Sequence, residues 1–263
     1  MQKTIHFVAG LPRSGSTMLI NLLKQNPEID GSPVSSLFTL FNNIFLNWDN
    51  MEPNKEYPNE TAKRNVLLSL LHGYYASSVT PIVIDKDRMW VTRIGLLESV
   101  LQRQVKILCP VRNPAEILSS FERLKRENPT KIIASDATGS STIASRCMYY
   151  SGPDGILGMS HAAIQDAITS GYLDRLLFVD YNKFCNTPKA QLKRIYDFLE
   201  VPSFKHDFDK IEQKEVYNDL ATVHPNLHKI KPKLERTTTN CVEYLGLELY
   251  QQYNSQIFWD AWV

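Results

Sequence analysis

The sequence predicts an α/β fold, with a central parallel β-sheet flanked by helices. Three observations predict it. Short runs of β-type residues alternate along the chain with segments of helical period. Each run is nearly all apolar, as a strand buried on both faces must be. The first run passes through a glycine-containing loop into an amphipathic helix, the arrangement of a P-loop nucleotide-binding fold.

The expected strands are residues 4–9, 81–85 (Pro-Ile-Val-Ile-Asp), 105–111 (Val-Lys-Ile-Leu-Cys-Pro-Val) and 175–180 (Arg-Leu-Leu-Phe-Val-Asp). Between them, apolar side chains recur at helical spacing. They are Val66, Leu67, Leu70, Leu71, Tyr74 and Tyr75, then Ile117, Leu118, Phe121 and Leu124, then Leu192, Ile195, Tyr196 and Leu199. Asn113-Pro114-Ala115-Glu116 reads as a helix start, with Asn as N-cap, Pro at the first position and Glu at the third, as in a capping box. Residues 127–142 are polar and rich in turn formers, a loop of the length used for substrate contact. A basic, irregular stretch at 224–239 precedes a final helix around 246–258.

At 263 residues the chain fits a single domain spanning 1–263. Its 29 basic and 28 acidic residues leave a net charge of +1, which excludes the global basic field of a nonspecific nucleic-acid or membrane-surface binder. Any anion site is therefore local. Cys109, Cys147, Cys185 and Cys241 are widely spaced, without a C-x-x-C pair, and read as reduced thiols. The first strand starts close to Met1, which leaves no room for a signal peptide, and no apolar run approaches the roughly 20 residues of a membrane span. The expected location is cytoplasmic.

Residues 9–17 read Ala-Gly-Leu-Pro-Arg-Ser-Gly-Ser-Thr. Gly10 and Gly15 have the spacing of G-x-x-x-x-G-K-[ST], and Thr17 supplies the hydroxyl, but Ser16 stands where that loop carries lysine. The backbone cradle and the helix N-terminus behind it still suit an anion. Arg13, inside the loop, supplies a cation. The two glycines alone fit equally an ordinary strand–helix turn that binds nothing.

The stretch Gly-Leu-Pro-Arg-Ser-Gly-Ser-Thr resembles the 5'-phosphosulfate loop of sulfotransferases that use 3'-phosphoadenosine 5'-phosphosulfate (PAPS), in particular the branch with a P-R-S-G-[ST]-T core that includes tyrosylprotein sulfotransferases. The resemblance implies that Arg13, Ser14, Gly15, Ser16 and Thr17 surround the phosphosulfate. Further along, Arg112 at a strand end and Ser120 on the next helix resemble the family's 3'-phosphate segment; a guanidinium grips a terminal phosphate bidentately and a hydroxyl adds one bond. Phe178-Val179-Asp180-Tyr181, Pro188 and Tyr196-Asp197-Phe198-Leu199 resemble the family's next pattern, which implies that Tyr181 touches the nucleotide; Asn182 stands where relatives carry an acid. Ile82-Val83-Ile84-Asp85-Lys86-Asp87-Arg88 resembles the strand that ends beside the active centre. Lys86 is the implied catalytic cation, assisted by Arg13, because a lysine there offsets charge on the leaving oxygen. Lys229 and Lys231 occupy the place of a basic loop over the nucleotide.

The implied activity is sulfuryl transfer from PAPS to a hydroxyl or amine of a small molecule, carbohydrate or peptide, with no metal, no nucleic acid and no membrane as partner. The pattern breaks at the proton acceptor. In the tyrosylprotein branch it is a glutamate soon after the first helix, and Asp30 to Ser36 contains none. Asp87, beside Lys86, ranks first as replacement, ahead of Asp85, His72, His224 and His228. Pro33–Phe41 and residues 127–142 are expected to face the acceptor. Two other readings stay open: a kinase with a degenerate phosphate loop, and a noncatalytic nucleotide-binding homologue.

Overall fold

The structure, a computed structural model, describes residues 3–128, 141–213 and 229–263. Among them, β1 (Thr4–Val8), β2 (Ile29–Ser32), β3 (Ile82–Lys86), β4 (Ile107–Val111) and β5 (Leu176–Asp180) form a five-stranded sheet in the order β2-β3-β1-β4-β5. Every pairing is parallel. The helices are α1 (Ser16–Leu23), α2 (Leu37–Asn47), α3 (Glu52–Glu56), α4 (Glu60–Tyr74), α5 (Ile94–Leu101), α6 (Pro114–Glu127), α7 (Ile143–Ser151), α8 (Ile156–Thr169), α9 (Tyr181–Asn186), α10 (Pro188–Leu199), α11 (Cys241–Leu245) and α12 (Leu247–Asn254).

Side chains on successive strand residues point to opposite faces, and both faces are apolar. Ile5, Phe7, Val83, Ile107, Cys109 and Phe178 join one core with Phe41, Leu71, Leu97, Ile117, Ile164 and Trp259. Val8, Ile84, Leu108 and Val179 join a second with Leu19 and Leu22 of α1 and Leu192 and Ile195 of α10. The sheet is thus a middle layer, with α1, α9 and α10 on one side and the larger helical group on the other. Among the described residues no helix is long and apolar enough to cross a membrane.

The four expected strands are present within a residue or two of their predicted ends. The edge strand β2 was not predicted, because Ile-Asp-Gly-Ser offers one apolar residue. It pairs with β3 all the same, and Gly31 packs so closely that a Cβ would lie 2.4 Å from the Ile84 carbonyl oxygen. The capping box at α6 does not form. Asn113 does cap, accepting from the Ala115 N–H at 2.9 Å, but Glu116 turns away to Arg112.

The connection from β1 leads out to β2 at one edge, while β4 leads to β5 on the other side, so the chain direction switches between β1 and β4. Parallel α/β sheets bind ligands outside the carboxyl ends of strands flanking such a point. The loop after β1 stays fastened there, with Ala9 N–H on Leu108 O at 3.0 Å and Leu11 N–H on Pro110 O at 2.8 Å. Gly10 passes so close over Pro110 that a Cβ would meet its carbonyl oxygen at 2.2 Å.

Beneath β1 and β3 sits Trp90, fully buried, with ring centroids at 4.8 Å from Phe7, 5.1 Å from Phe38 and 5.5 Å from Phe41. Its indole N–H donates to Asp85 at 2.6 Å, and the Tyr75 hydroxyl donates to the other oxygen of that buried carboxylate at 2.5 Å. Trp90→Ala is expected to cost about 3–5 kcal/mol, since it opens a cavity and strips Asp85 of a donor. Urea unfolding followed by circular dichroism measures this; a loss below about 1 kcal/mol would contradict the packing.

Candidate active site

A cleft of about 650 Å³ opens at the carboxyl ends of β1, β3 and β4. Its floor is the loop Gly10–Ser16. Arg13 and Gly15 both take left-handed backbone angles, with φ 56° and 81°. For Arg13 this conformation is unfavourable by about 1–2 kcal/mol, and packing of the loop holds it there. Gly15 caps α1 without a side chain, and a Cβ on it would lie 2.8 Å from the Tyr181 ring. The first helical bond of α1 runs from Leu19 N–H to Gly15 O at 2.9 Å. The N–H groups of Ser16, Thr17 and Met18, all lining the cleft, therefore lie in the turn that has no intrahelical acceptor.

Ser14 lies apart from this group. It is buried and its hydroxyl donates to Leu11 O at 2.6 Å, a bond that shapes the loop and turns the side chain inward. The remaining loop residues named from the sequence, Arg13, Gly15, Ser16 and Thr17, all line the cleft with Lys86, Arg112, Ser120 and Tyr181.

Arg112 leaves the end of β4 and is itself buried. Its Nε donates to Glu116 at 2.7 Å, Nη1 to the Arg13 carbonyl at 3.3 Å and Nη2 to the Thr237 carbonyl at 3.0 Å. Its guanidinium lies over the Tyr181 ring at 4.3 Å, and the Tyr181 hydroxyl accepts from Thr237 N–H at 2.9 Å. A guanidinium has five N–H donors, and among the described residues three are engaged, which leaves two for a ligand. Ser120 accepts from Arg13 Nε at 3.2 Å, which joins the phosphate loop to α6. Glu116 also takes Asn182 Nδ2 at 3.1 Å and pairs with Arg236 at 3.5 Å. Asn182 thus supports the residue that orients Arg112.

Lys86 enters from the end of β3, on the other side of the loop. Burial, reinforced by the positive charge of Arg88 and then Arg13, holds its ammonium down to about 8; Asp87 and Asp85 oppose the shift. An anion in the cleft would restore the charged form. Arg88, missed from sequence because it follows the strand in a charged loop, also lines the cleft. Lys229 and Lys231 line its rim, as do Ile230 and Thr237.

The proposed proton acceptors fare differently. Asp87 does not line the cleft; it caps the 3-10 helix Arg88–Arg93 by accepting from Met89 N–H at 2.8 Å. Asp85 is sealed beneath Tyr75 and Trp90. His72 lies outside the cleft, with Arg103 and Lys3 as the nearby charges that, after burial, lower its imidazole. His224 and His228 lie outside the described residues, as do 129–140 of the expected substrate loop. Pro33–Phe41 do not line the cleft either; Leu37 and Phe41 are core residues. The remaining wall is instead made by α6, α7 and α8, through Phe121, Arg123, Tyr149, Tyr150, Ile156 and Met159. These α7 and α8 side chains follow the stretch read as a substrate loop and carry no motif, so periodicity reads them only as core. Among the described residues no three of His, Cys, Asp and Glu converge as a metal cluster.

A strand, glycine loop and helix N-terminus at a switch point, with arginines arriving from loop and neighbouring strand, define a P-loop-type anion site. Comparison with known proteins gives the class. The model of the sulfotransferase family matches residues 6–206, and the chain belongs to that family. Among solved structures it is similar to the sulfotransferase domain from the curacin biosynthetic pathway, at 17% identity and TM-score 0.62 over 97% of each chain. It is also similar to mouse sulfotransferase SULT7A1 complexed with PAP, at 16% identity and TM-score 0.55 over 96% of this chain and 81% of that one. Sulfotransferase STF9 from Mycobacterium avium aligns at 14% identity and TM-score 0.52 over 96% and 75%. At such identities these structures speak for the fold. No curated protein was found to match the chain in sequence. The protein is thus an enzyme, a sulfotransferase, with an all-parallel sheet of that family.

Gly15→Ala is expected to weaken binding of inorganic pyrophosphate about tenfold or more, by pushing the loop off Tyr181 and losing a charge-assisted bond of about 1.5–3 kcal/mol. Calorimetric titration checks it; unchanged affinity would contradict the anion site.

Proposed function

We propose that the chain, as a single domain over 1–263, transfers a sulfuryl group from PAPS to a hydroxyl or amine of a small-molecule, carbohydrate or peptide acceptor. The observation that carries this reading is the junction of two anion sites. The loop at the N-terminus of α1 meets Arg112 and Ser120 through Arg13, at the 3.2 Å bond to Ser120 and the 3.3 Å bond from Arg112. A donor with phosphates at both its 3' and 5' positions matches that pair. The PAP found with SULT7A1, a protein of this fold, is in keeping with it. A kinase reading is not favoured, since Ser16 stands in the lysine position and the family match is to sulfotransferases.

In this reading Gly15, Ser16 and Thr17 hold the 5'-phosphate by backbone N–H groups, with Ser14 fixing the loop from behind. Arg112 and Ser120 hold the 3'-phosphate, and Tyr181 bears on the nucleotide while positioning Arg112. Lys86, with Arg13, faces the oxygen that bridges sulfur and the 5'-phosphate. As the acceptor oxygen bonds to sulfur, that bridging bond breaks and its electron pair stays on the phosphate, where the two cations lower the barrier. Asp87 serves this reaction by fixing the backbone after Lys86. No residue is assigned to hold a metal, a nucleic acid or a membrane. A cytoplasmic location fits the four cysteines, which are free.

Transfer of labelled sulfate from PAPS to a panel of phenols, alcohols, sugars and amines tests the reading; turnover with Mg-ATP and none with PAPS would sink it. The pH profile adds a check on Lys86. Its charged form is lost as pH rises through about 8 in the free protein, so kcat/KM is expected to fall above that pH. In Lys86→Arg, charged throughout, the falling limb should vanish. An identical limb in both proteins would assign it elsewhere.

A further inference from the structure

The cleft carries cations for the donor, but the reaction also releases a proton. Among the described residues the carboxylates that line it are Asp154 and Glu235. Glu235 is paired with Lys231 at 3.4 Å, in the basic segment at the nucleotide end. Asp154 is exposed, and no hydrogen bond or ion pair to another described residue engages its carboxylate.

Its position is built. Asp154 lies in the turn Gly152-Pro153-Asp154-Gly155 between α7 and α8, closed by Gly155 N–H on Gly152 O at 2.9 Å. Proline in second position presets the turn. Gly152 N–H is tied to Met148 O at 2.8 Å. The turn is pressed against α7 so tightly that a Cβ on Gly155 would lie 2.1 Å from Tyr149 O, and one on Gly158 2.0 Å from Gly152 O. Helix α8, which starts directly after Gly155, packs on the 3-10 helix Arg88–Arg93 that follows Lys86. The carboxylate thus lines the same cleft as Lys86, on a turn with little freedom.

The surface beside it is apolar and aromatic. Tyr149, Ile156 and Met159 flank the turn, and Phe121 stacks on Tyr150 at 4.4 Å. Arg123 adds a cation to this wall, but its surface is mostly apolar and aromatic, which fits an apolar body with one polar end toward the cations.

We propose that Asp154 is the catalytic proton acceptor, serving a subsite for an alcohol or phenol carried on an apolar or aromatic body. The inference rests on the sulfotransferase reading and names the acceptor class and base within it. The acceptor oxygen bonds to sulfur as the bond from sulfur to the bridging oxygen breaks; the electron pair leaves with the 5'-phosphate, and the hydroxyl proton passes to the Asp154 carboxylate. No other reactant is needed.

The test compares Asp154→Asn and Asp154→Glu with the wild type, using labelled PAPS and substituted phenols from nitro to alkyl, plus a benzylic alcohol. For weakly acidic acceptors Asp154→Asn should lose about 10²–10⁴-fold in kcat, the usual worth of a positioned base. The loss should shrink toward none for nitrophenols already ionised at the assay pH. Asp154→Glu should recover part of the rate, and calorimetric affinity for adenosine 3',5'-bisphosphate should stay unchanged in both variants. Equal loss across the series, or wild-type rates on the weakly acidic acceptors, overturns the assignment while leaving the sulfotransferase reading intact. Failure of the wild type to transfer to any acceptor overturns that reading and this one with it.

Discussion

The cleft depends on the Arg112 guanidinium. One buried side chain touches the phosphate loop through Arg13 O, the C-terminal segment through Thr237 O, α6 through Glu116 and α9 through the Tyr181 ring. Each partner comes from a different part of the chain, and only a planar, multiply donating cation can bond to all of them at once. Burying such a charge is costly unless it is paired and hydrogen-bonded. Glu116 supplies the pairing, which is why it leaves the cap of its own helix. The donors that remain on Arg112 are then available to a second anion, in a setting prepared before any ligand arrives.

That arrangement also explains the electrostatics on the far side of the loop. Arg13, Lys86 and Arg88 crowd one end of the cleft, and their mutual repulsion, added to burial, lowers the Lys86 ammonium. Negative charge entering the cleft would offset that repulsion and favour the charged lysine. A site of this kind stabilises charge that develops on a leaving phosphate more than charge already screened by water, which is the requirement for transition-state stabilisation.

Much of this was legible in the sequence, and the reasons differ by residue. The loop, Lys86 and Arg112 were singled out by the resemblance to the sulfotransferase family, while the apolar runs placed each at the end of a strand, where a parallel sheet delivers functional groups. Strand β2 could not, since an edge strand of four residues stabilised by backbone pairing and the close approach of Gly31 leaves almost no hydrophobic signature. Asp87 drew attention by adjacency to Lys86, but neighbours along a chain leaving a strand point different ways, and its carboxylate closes a backbone turn instead. Asp154 was invisible for the opposite reason. Its connection to the cleft runs through the packing of α7 and α8, a tertiary relation with no local pattern, and only the Gly-Pro-Asp-Gly turn marks it afterwards. Glu116 was misread because a capping box and a salt bridge at i and i+4 compete for the same carboxylate, and the buried arginine prevails.

The central claim is that two anion sites, fused through Arg112, recognise both phosphates of one nucleotide. Calorimetric titration of the wild type and Arg112→Ala with adenosine 3',5'-bisphosphate and with adenosine 5'-monophosphate tests it most directly. The account predicts that the bisphosphate binds the wild type at least about tenfold more tightly, as one charge-assisted contact of about 1.5–3 kcal/mol requires, and that most of this preference disappears in the variant. Equal affinities for the two nucleotides in the wild type, or a preference that survives loss of Arg112, would contradict it.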